Sequence, residues 1–251
     1  MTDASEKPAD SASLSLSAKC RVLYRLLTGK DAEARKVFTD YHLVRRKYVL
    51  SRVCEHFGID KFEPAPLLNK TLLDVGCGTN RIAQELALRG ANCLAIDQNP
   101  AVIETAKKAA EKYGAPVAFI QGKAEKLVQD NATYDIILCL DVLEESDEPE
   151  KLLWAMKKML KPDGVIVFST VINTPASWFY HRVLAELVLR WQPFGSYKRQ
   201  KFLSHRNFIR LWEKGGFEIS QKTGVRFDPF TKEWVKSGKE NVRMLGVAVR
   251  G

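Results

Sequence analysis

The sequence predicts an α/β protein: a doubly wound sheet, mostly parallel, closed by an antiparallel hairpin. Three observations carry this. Short apolar strands alternate with helices from Thr71 to Thr170, the pattern of a parallel sheet covered on both faces. A glycine-rich turn, Asp74–Asn80 (DVGCGTN), joins the first strand of that series to its first helix. After Thr170 the alternation stops, and two strand-like runs close the chain. The 251 residues are 45% hydrophobic and 27% charged, enough to bury a full core, which excludes wholesale disorder and fibrous architectures. No window approaches the roughly 18 uncharged apolar residues of a membrane-spanning helix.

Taken in order, residues 1–17 are rich in Ser, Ala and Asp and read as a disordered tail. Residues 18–66 form a helical lid: Val22, Leu23, Leu26 and Leu27 make one apolar stripe, Val49, Leu50, Val53 and Phe57 another, before the break at Pro64 and Pro66. The main domain, 67–251, opens with a strand at Thr71–Gly76 and a helix at Asn80–Arg89 stopped by Gly90. A strand Cys93–Asp97 follows, then a helix Pro100–Tyr113 with Asn99 as N-cap and Gly114 as stop. Val117–Gln121 and Tyr134–Leu140 are strands. Pro149 suits the first position of a helix running to Leu160, and the turn Lys161–Gly164 leads into the strand Val165–Thr170. An insertion at about 174–212 interrupts the pattern: an aromatic helical stretch Ser177–Trp191, a basic loop Tyr197–Arg206, and a helix to Lys214. Phe217–Phe227 and Val242–Val249 pair as the closing hairpin, with Asp228–Asn241 as a long connection.

The glycine turn is the strongest functional signal. Glycines there admit positive φ and close approach of the backbone to a ligand, and the ligand crevice of an open parallel sheet lies at the carboxyl ends of its strands. The second strand ends in Asp97, 21 residues after Gly76, where a carboxylate can accept hydrogen bonds from two ribose hydroxyls. Position 81 is Arg, so the dinucleotide pattern GxGxxG fails, and there is no phosphate-binding GK[ST].

An acid two residues before the first glycine, paired with an acidic end to the second strand, resembles the class I S-adenosylmethionine-dependent methyltransferases, which implies a Rossmann-like sheet. The resemblance implies that Asp74 and Gly76 with Gly78 hold the methionine end of S-adenosyl-L-methionine and Asp97 its ribose. It implies that Ala124 and Glu125 close over adenine, with Leu140 on the other side. The sequence departs from that family at Asn80, where a third glycine is usual. The run from Arg46 to Gly58, Phe168–Asn173, Glu186–Arg190 and Gly224–Thr231 are together similar to the ubiquinone-biosynthesis O-methyltransferases over about residues 40–249. That family methylates polyprenylated catechols, and by position Arg45 matches an arginine that approaches the methionine carboxylate.

The resemblance also implies a metal. After the fourth strand the family carries Glu-x-x-Glu-His, held to bind a divalent cation; here Asp141 and Glu144 keep two carboxylates and Glu145 replaces the histidine. On a helical turn the three would share a face, and such an oxygen set suits Mg²⁺, Mn²⁺ or Ca²⁺. The alternative is an acidic solvated turn preceding a helix N-terminus. Asp141, then Glu144, are the leading acid–base candidates, because a second histidine of the family, in the basic loop, is here Tyr197.

Thirty-nine Lys and Arg against 30 acids give a net charge of +9. No nucleic-acid-binding signature accompanies it, so nucleic acid is not an expected partner. Aromatic and basic residues interleave in the insertion instead, the composition of a segment that lies on an anionic membrane. Five cysteines without a CxxC pair give neither a zinc site nor a disulfide framework, and the N terminus lacks the apolar core of a secretory signal. The expectation is a cytoplasmic enzyme peripherally associated with the inner membrane, acting on a polyprenylated small molecule beside other quinone-pathway enzymes. Methylation of another small acceptor, or a noncatalytic cofactor-binding scaffold, are the competing readings.

Overall fold

The computed structural model describes residues 30–79, 81–180, 202–228 and 233–251. The expected tail, the first apolar stripe of the lid, Asn80 and most of the insertion lie outside the described residues. Helix α1 (Lys30–His56) precedes β1 (Thr71–Val75), α2 (Ile82–Leu88), β2 (Asn92–Asp97), α3 (Pro100–Tyr113), β3 (Val117–Gln121), β4 (Tyr134–Leu140), α4 (Pro149–Met159), β5 (Leu160–Val171), α5 (Pro175–Trp178), α6 (His205–Lys214), β6 (Phe217–Asp228), β7 (Glu233–Ser237) and β8 (Arg243–Arg250). A 3₁₀ helix, Ala124–Asp130, lies between β3 and β4.

These strands form one sheet in the order β3-β2-β1-β4-β5-β8-β6-β7. The β3-to-β5 half is parallel, with Asp74 paired to Ala95 on one side and Leu138 on the other. β8, β6 and β7 add antiparallel neighbours. Strand order reverses between β1 and β4, so a crevice opens at their carboxyl ends.

Alternation along the central strands feeds two cores. Leu72, Ile136, Leu138, Val165 and Val167 face α1 and α2 through Val49, Val53, Ile82 and Leu86. Leu73, Ile137, Ile166 and Phe168 face α4 and α6 through Leu152, Met156, Phe208 and Trp212. Gly246 of β8 lies opposite Phe168; a Cβ there would fall 2.2 Å from the Phe168 ring, so the strand can pass the ring only as glycine. Among the described residues no helix is long and apolar enough to cross a membrane.

Three expectations are corrected. Lys161–Gly164 is not a free turn: β5 begins at Leu160, paired with Tyr134, and the register jumps to Ile136–Val165, so the segment is an irregularity inside the strand. The connection Asp228–Asn241 contains a strand, β7, paired with β6 from Gly224–Ser237 to Asp228–Glu233. Its five residues include Glu233 and Lys236, charges that suit an edge strand and hide the apolar pattern. Finally, residues 141–146 form no helix: a single hydrogen-bonded turn closes over Val142–Ser146, and Asp141, before it, takes a left-handed φ of 60°.

Candidate active site

The glycine turn forms as expected. Gly76 and Gly78 have φ of 61° and 55°. A Cβ on Gly76 would lie 2.6 Å from Val142, so the turn sits directly against the segment that follows β4. Arg81, not a glycine, takes the next left-handed position, φ 63°, and its guanidinium lies 3.9 Å from the Tyr113 ring centroid. The Gly78 amide donates to Asp97 Oδ2 at 3.1 Å and the Asn99 amide to Oδ1 at 2.9 Å, which fixes the carboxylate at the end of β2.

These groups open onto a cleft of 380 Å³, lined by Gly76, Gly78, Asp97, Ala124, Glu125 and Leu140, all six expected from the sequence. The 3₁₀ helix brings Ala124 and Glu125 to the side facing Leu140. Beneath the turn, Asp74 is buried, and among the described residues its Oδ1 has no hydrogen-bond partner. Burial raises its pKa to about 7; Asp97 adds to the effect and Arg45 opposes it. A buried acceptor without a donor, beside a glycine cradle and a fixed carboxylate, fits a ligand with a cationic amino-acid end and a ribose.

Next to the cleft lies a charged cluster. Arg45, almost wholly buried on α1, donates from Nη1 to Asp141 Oδ2 at 2.7 Å. Arg243, the first residue of β8, donates to the same oxygen at 3.1 Å and to the Tyr41 hydroxyl at 3.1 Å. Ser169 Oγ donates to Asp141 Oδ1 at 2.8 Å. Glu144 accepts from the Thr170 hydroxyl at 3.1 Å and the Val171 amide at 3.2 Å. His42 Nδ1 lies 3.2 Å from Arg45 Nη2, so Nδ1 is the acceptor and the ring proton is on Nε2.

The electrostatics separate the two carboxyls. Although the low-polarity surroundings oppose it, the Arg243 and Arg45 guanidiniums hold Asp141 below the usual carboxylate range. Burial, with the Asp141 charge beside it, pushes Glu144 up to about 8. Burial and then the Arg45 charge lower His42 to about 4, leaving a neutral imidazole at neutral pH.

The expected metal set does not assemble. Asp141 and Glu145 border the cleft, whereas Glu144 turns to β5, and among the described residues no three His, Cys, Asp or Glu side chains gather as a metal site. The physical reason is the backbone: the hydrogen-bonded turn Val142–Ser146 carries Glu144 and Glu145, but the left-handed Asp141 stands before it, so position 141 does not continue the face of that turn. The oxygens of Asp141 and Glu144 already accept hydrogen bonds from this chain, so the donor set does not fit a divalent ion. Sequence reasoning missed Tyr41, Ser169, Thr170, Arg243 and His42 as members of the cluster. Ser169 and Thr170 lie inside a run that carried the family resemblance, but Arg243 and Tyr41 have no local signature.

Comparisons with known proteins bear on the family and the fold. Residues 73–168 match the family described as a methyltransferase domain. The ubiquinone biosynthesis O-methyltransferase of Dinoroseobacter shibae is 32% identical over 217 residues, covering 85% of this chain and 88% of the relative. That of Azorhizobium caulinodans is 34% identical over 191 residues, covering 76% of each. The solved magnesium protoporphyrin IX methyltransferase from Synechocystis PCC 6803, with bound SAH, has a TM-score of 0.58 at 18% identity, over 93% of this chain and 100% of that one, and supports the fold. Glycine turn, sheet and relatives converge: the chain belongs to the ubiquinone biosynthesis O-methyltransferases and is an S-adenosylmethionine-dependent enzyme.

Proposed function

We propose that the protein methylates a phenolic hydroxyl of a polyprenylated catechol at a membrane surface. The observation that carries this is the junction of the cleft with the charged cluster: the segment from Leu140 to Glu145 forms one wall of the cleft and also anchors Arg45 and Arg243. Gly76 and Gly78 bring the backbone against the cofactor, Asp97 takes its ribose hydroxyls, and Asp74 with Arg45 holds the two ends of its amino-acid group. Ala124, Glu125 and Leu140 bound the adenine. When bound, the cofactor would supply an activated sulfonium methyl for transfer to the acceptor oxygen, its sulfur leaving as a neutral thioether.

The acceptor must arrive without its proton, since a phenol ionises only near pH 10 in water. A carboxylate pinned by two guanidiniums is a weak base, and Glu144, held by Thr170 and Val171, does not line the cleft, so neither expected acid–base residue takes the proton directly: Asp141 positions the arginines, and the proton leaves to a solvent base. Trp234, part-exposed on β7 and tilted against the buried Tyr41 ring at 4.6 Å beside Arg243, offers an aromatic surface for a catechol ring. Trp178 and Phe179, 43% and 57% exposed at the start of the insertion, are apolar groups suited to a lipid surface. The test is mass spectrometry of the purified protein incubated with S-adenosylmethionine and a short-chain prenylated catechol. A product heavier by one methylene is expected; turnover of other small acceptors but of no catechol overturns the substrate assignment.

A further inference from the structure

The acidic turn after β4 is already neutralised by this chain. Asp141 Oδ2 accepts from both Arg45 and Arg243, at 2.7 and 3.1 Å, and Oδ1 accepts from Ser169. Glu144 is engaged by Thr170 and the Val171 amide. A hard dication bound to Asp141 sits at about 2.0–2.1 Å from an oxygen. On Oδ2 it would share that oxygen with two guanidinium nitrogens, and drawing in Glu144 would strip two hydrogen bonds from a buried carboxyl. Both changes are unfavourable, because like charges crowd and the Val171 amide loses its acceptor.

We propose that Arg243, not a divalent metal, is the cation of the acceptor subsite and holds the ring oxygen of a catechol as its phenolate. This rests on the O-methyl-transfer reading. Arg243 is set for it by four observations. β8 lies beside β5, with Arg243 paired to Val171, which places the residue at the carboxyl end of the parallel strands. Its side chain is 14% exposed, so its charge is poorly screened yet reachable. Nη1 is committed to Asp141 and Tyr41, while among the described residues Nη2 meets no hydrogen-bond partner. The guanidinium lies 4.7 Å from the buried Tyr41 ring centroid, and the part-exposed Trp234 tilts against the same ring at 4.6 Å, so an aromatic acceptor would meet the charge and the Trp234 ring together. A guanidinium does not lose its proton, so the positive charge persists across the working pH range. The acceptor hydroxyl gives its proton to a solvent or buffer base, the electron pair stays on oxygen against Nη2, and that oxygen then takes the methyl group.

The test has a readout that needs no turnover. Nitrocatechol, whose phenolate absorbs at longer wavelength than its neutral form, is bound to the protein loaded with S-adenosylhomocysteine, at a pH where the free probe is mostly neutral. The wild type is expected to show the phenolate band, Arg243→Lys part of it, and Arg243→Met none, with S-adenosylhomocysteine affinity retained. In parallel, Mn²⁺ is titrated into the wild type and followed by electron paramagnetic resonance; the free-ion signal is expected to stay undiminished. Turnover of a prenylated catechol is expected to be unchanged by chelator. Stoichiometric Mn²⁺ binding that Asp141→Asn abolishes, or a phenolate band that persists in Arg243→Met, overturns the proposal. The metal titration decides the matter if the Met variant does not fold. An Arg243-dependent band without turnover of any catechol keeps the cation site and rejects the methyl-transfer reading instead.

Discussion

Asp74 is a carboxyl group whose charge state and ligand are coupled. Burial first, then Asp97, raises its pKa to about 7 against an ordinary 3.8. A group raised on folding contributes stability below its unfolded pKa and loses it as pH climbs through the folded one. The ligand-free protein is therefore expected to lose stability through this group between about pH 4 and pH 7. A cationic amino-acid end brought beside Asp74 favours the carboxylate, so cofactor binding at pH 6.5 should release a proton. Calorimetry in two buffers of different ionisation enthalpy should then give different heats, and affinity should rise with pH toward 7 and level off above it. Asp74→Asn should remove both effects; equal heats in the wild type would show that the cofactor does not meet a neutral Asp74. His42 works in the opposite sense. Its pKa, lowered to about 4, means stability present above pH 6.5 is lost as pH falls toward 4. At Gly76, two costs combine: a φ of 61° is strained for any residue with a Cβ, and that Cβ would lie 2.6 Å from Val142. Gly76→Ala is expected to weaken S-adenosylhomocysteine binding by at least tenfold, about 1.4 kcal/mol, with strain alone costing about 1–2 kcal/mol. Adding Val142→Ala should restore part of the loss, because it relieves the clash and leaves the φ strain.

Among the elements, those written in local chemistry were legible. α3 starts and stops where Asn99 and Gly114 put it: Asn99 accepts from the Ala101 amide, and Gly114 takes φ 65°. β3 and β4 match their expected ends, and the cleft residues Gly76, Gly78 and Asp97 were readable because turn, spacing and strand end lie close in sequence, whereas Leu140 was legible only through the family resemblance. β7 was not readable, since five residues with two charges give no periodic signal. The charged cluster was hidden for another reason: Arg45 and Arg243 meet Asp141 across 96 and 102 residues, and nothing local announces such a pairing. β7 has a measurable task. Trp234 packs on Tyr41 of α1 at 4.6 Å and on Phe227 of β6 at 5.8 Å, tying the helix to the antiparallel edge. Trp234→Ala is expected to cost about 2–4 kcal/mol in urea unfolding and to speed proteolysis within α1 ahead of the parallel sheet. Unchanged cleavage of α1 would mean that Val49 and Val53, fully buried on the same helix, hold it without help.

For the whole molecule, the proposed substrate raises the question of how a protein with a buried, charged site would reach a compound with a long apolar tail. The net charge of +9 favours anionic surfaces, and Trp178 and Phe179 stand exposed at the entrance to the insertion. α5 is anchored there from inside: Thr174 caps it by accepting from the Ser177 amide, and the Thr174 hydroxyl donates to the Asn241 carbonyl before β8. The exposed pair is therefore tied to the strand that carries Arg243. Burying one aromatic side chain in lipid yields about 1.5–3 kcal/mol, and each cation near an anionic surface about 1 kcal/mol. The two contributions respond differently to salt, because only the second is screened. Flotation with vesicles containing anionic lipid should be strong at low salt and fall as salt rises, without vanishing. Trp178→Ala with Phe179→Ala should reduce flotation at every salt concentration and raise the KM for a long-chain prenylated catechol, while the KM for a short soluble catechol stays near the wild-type value. If the double variant floats as well as the wild type and treats both substrates alike, these two side chains are bystanders on an ordinary surface, and the enzyme meets its substrate by another face.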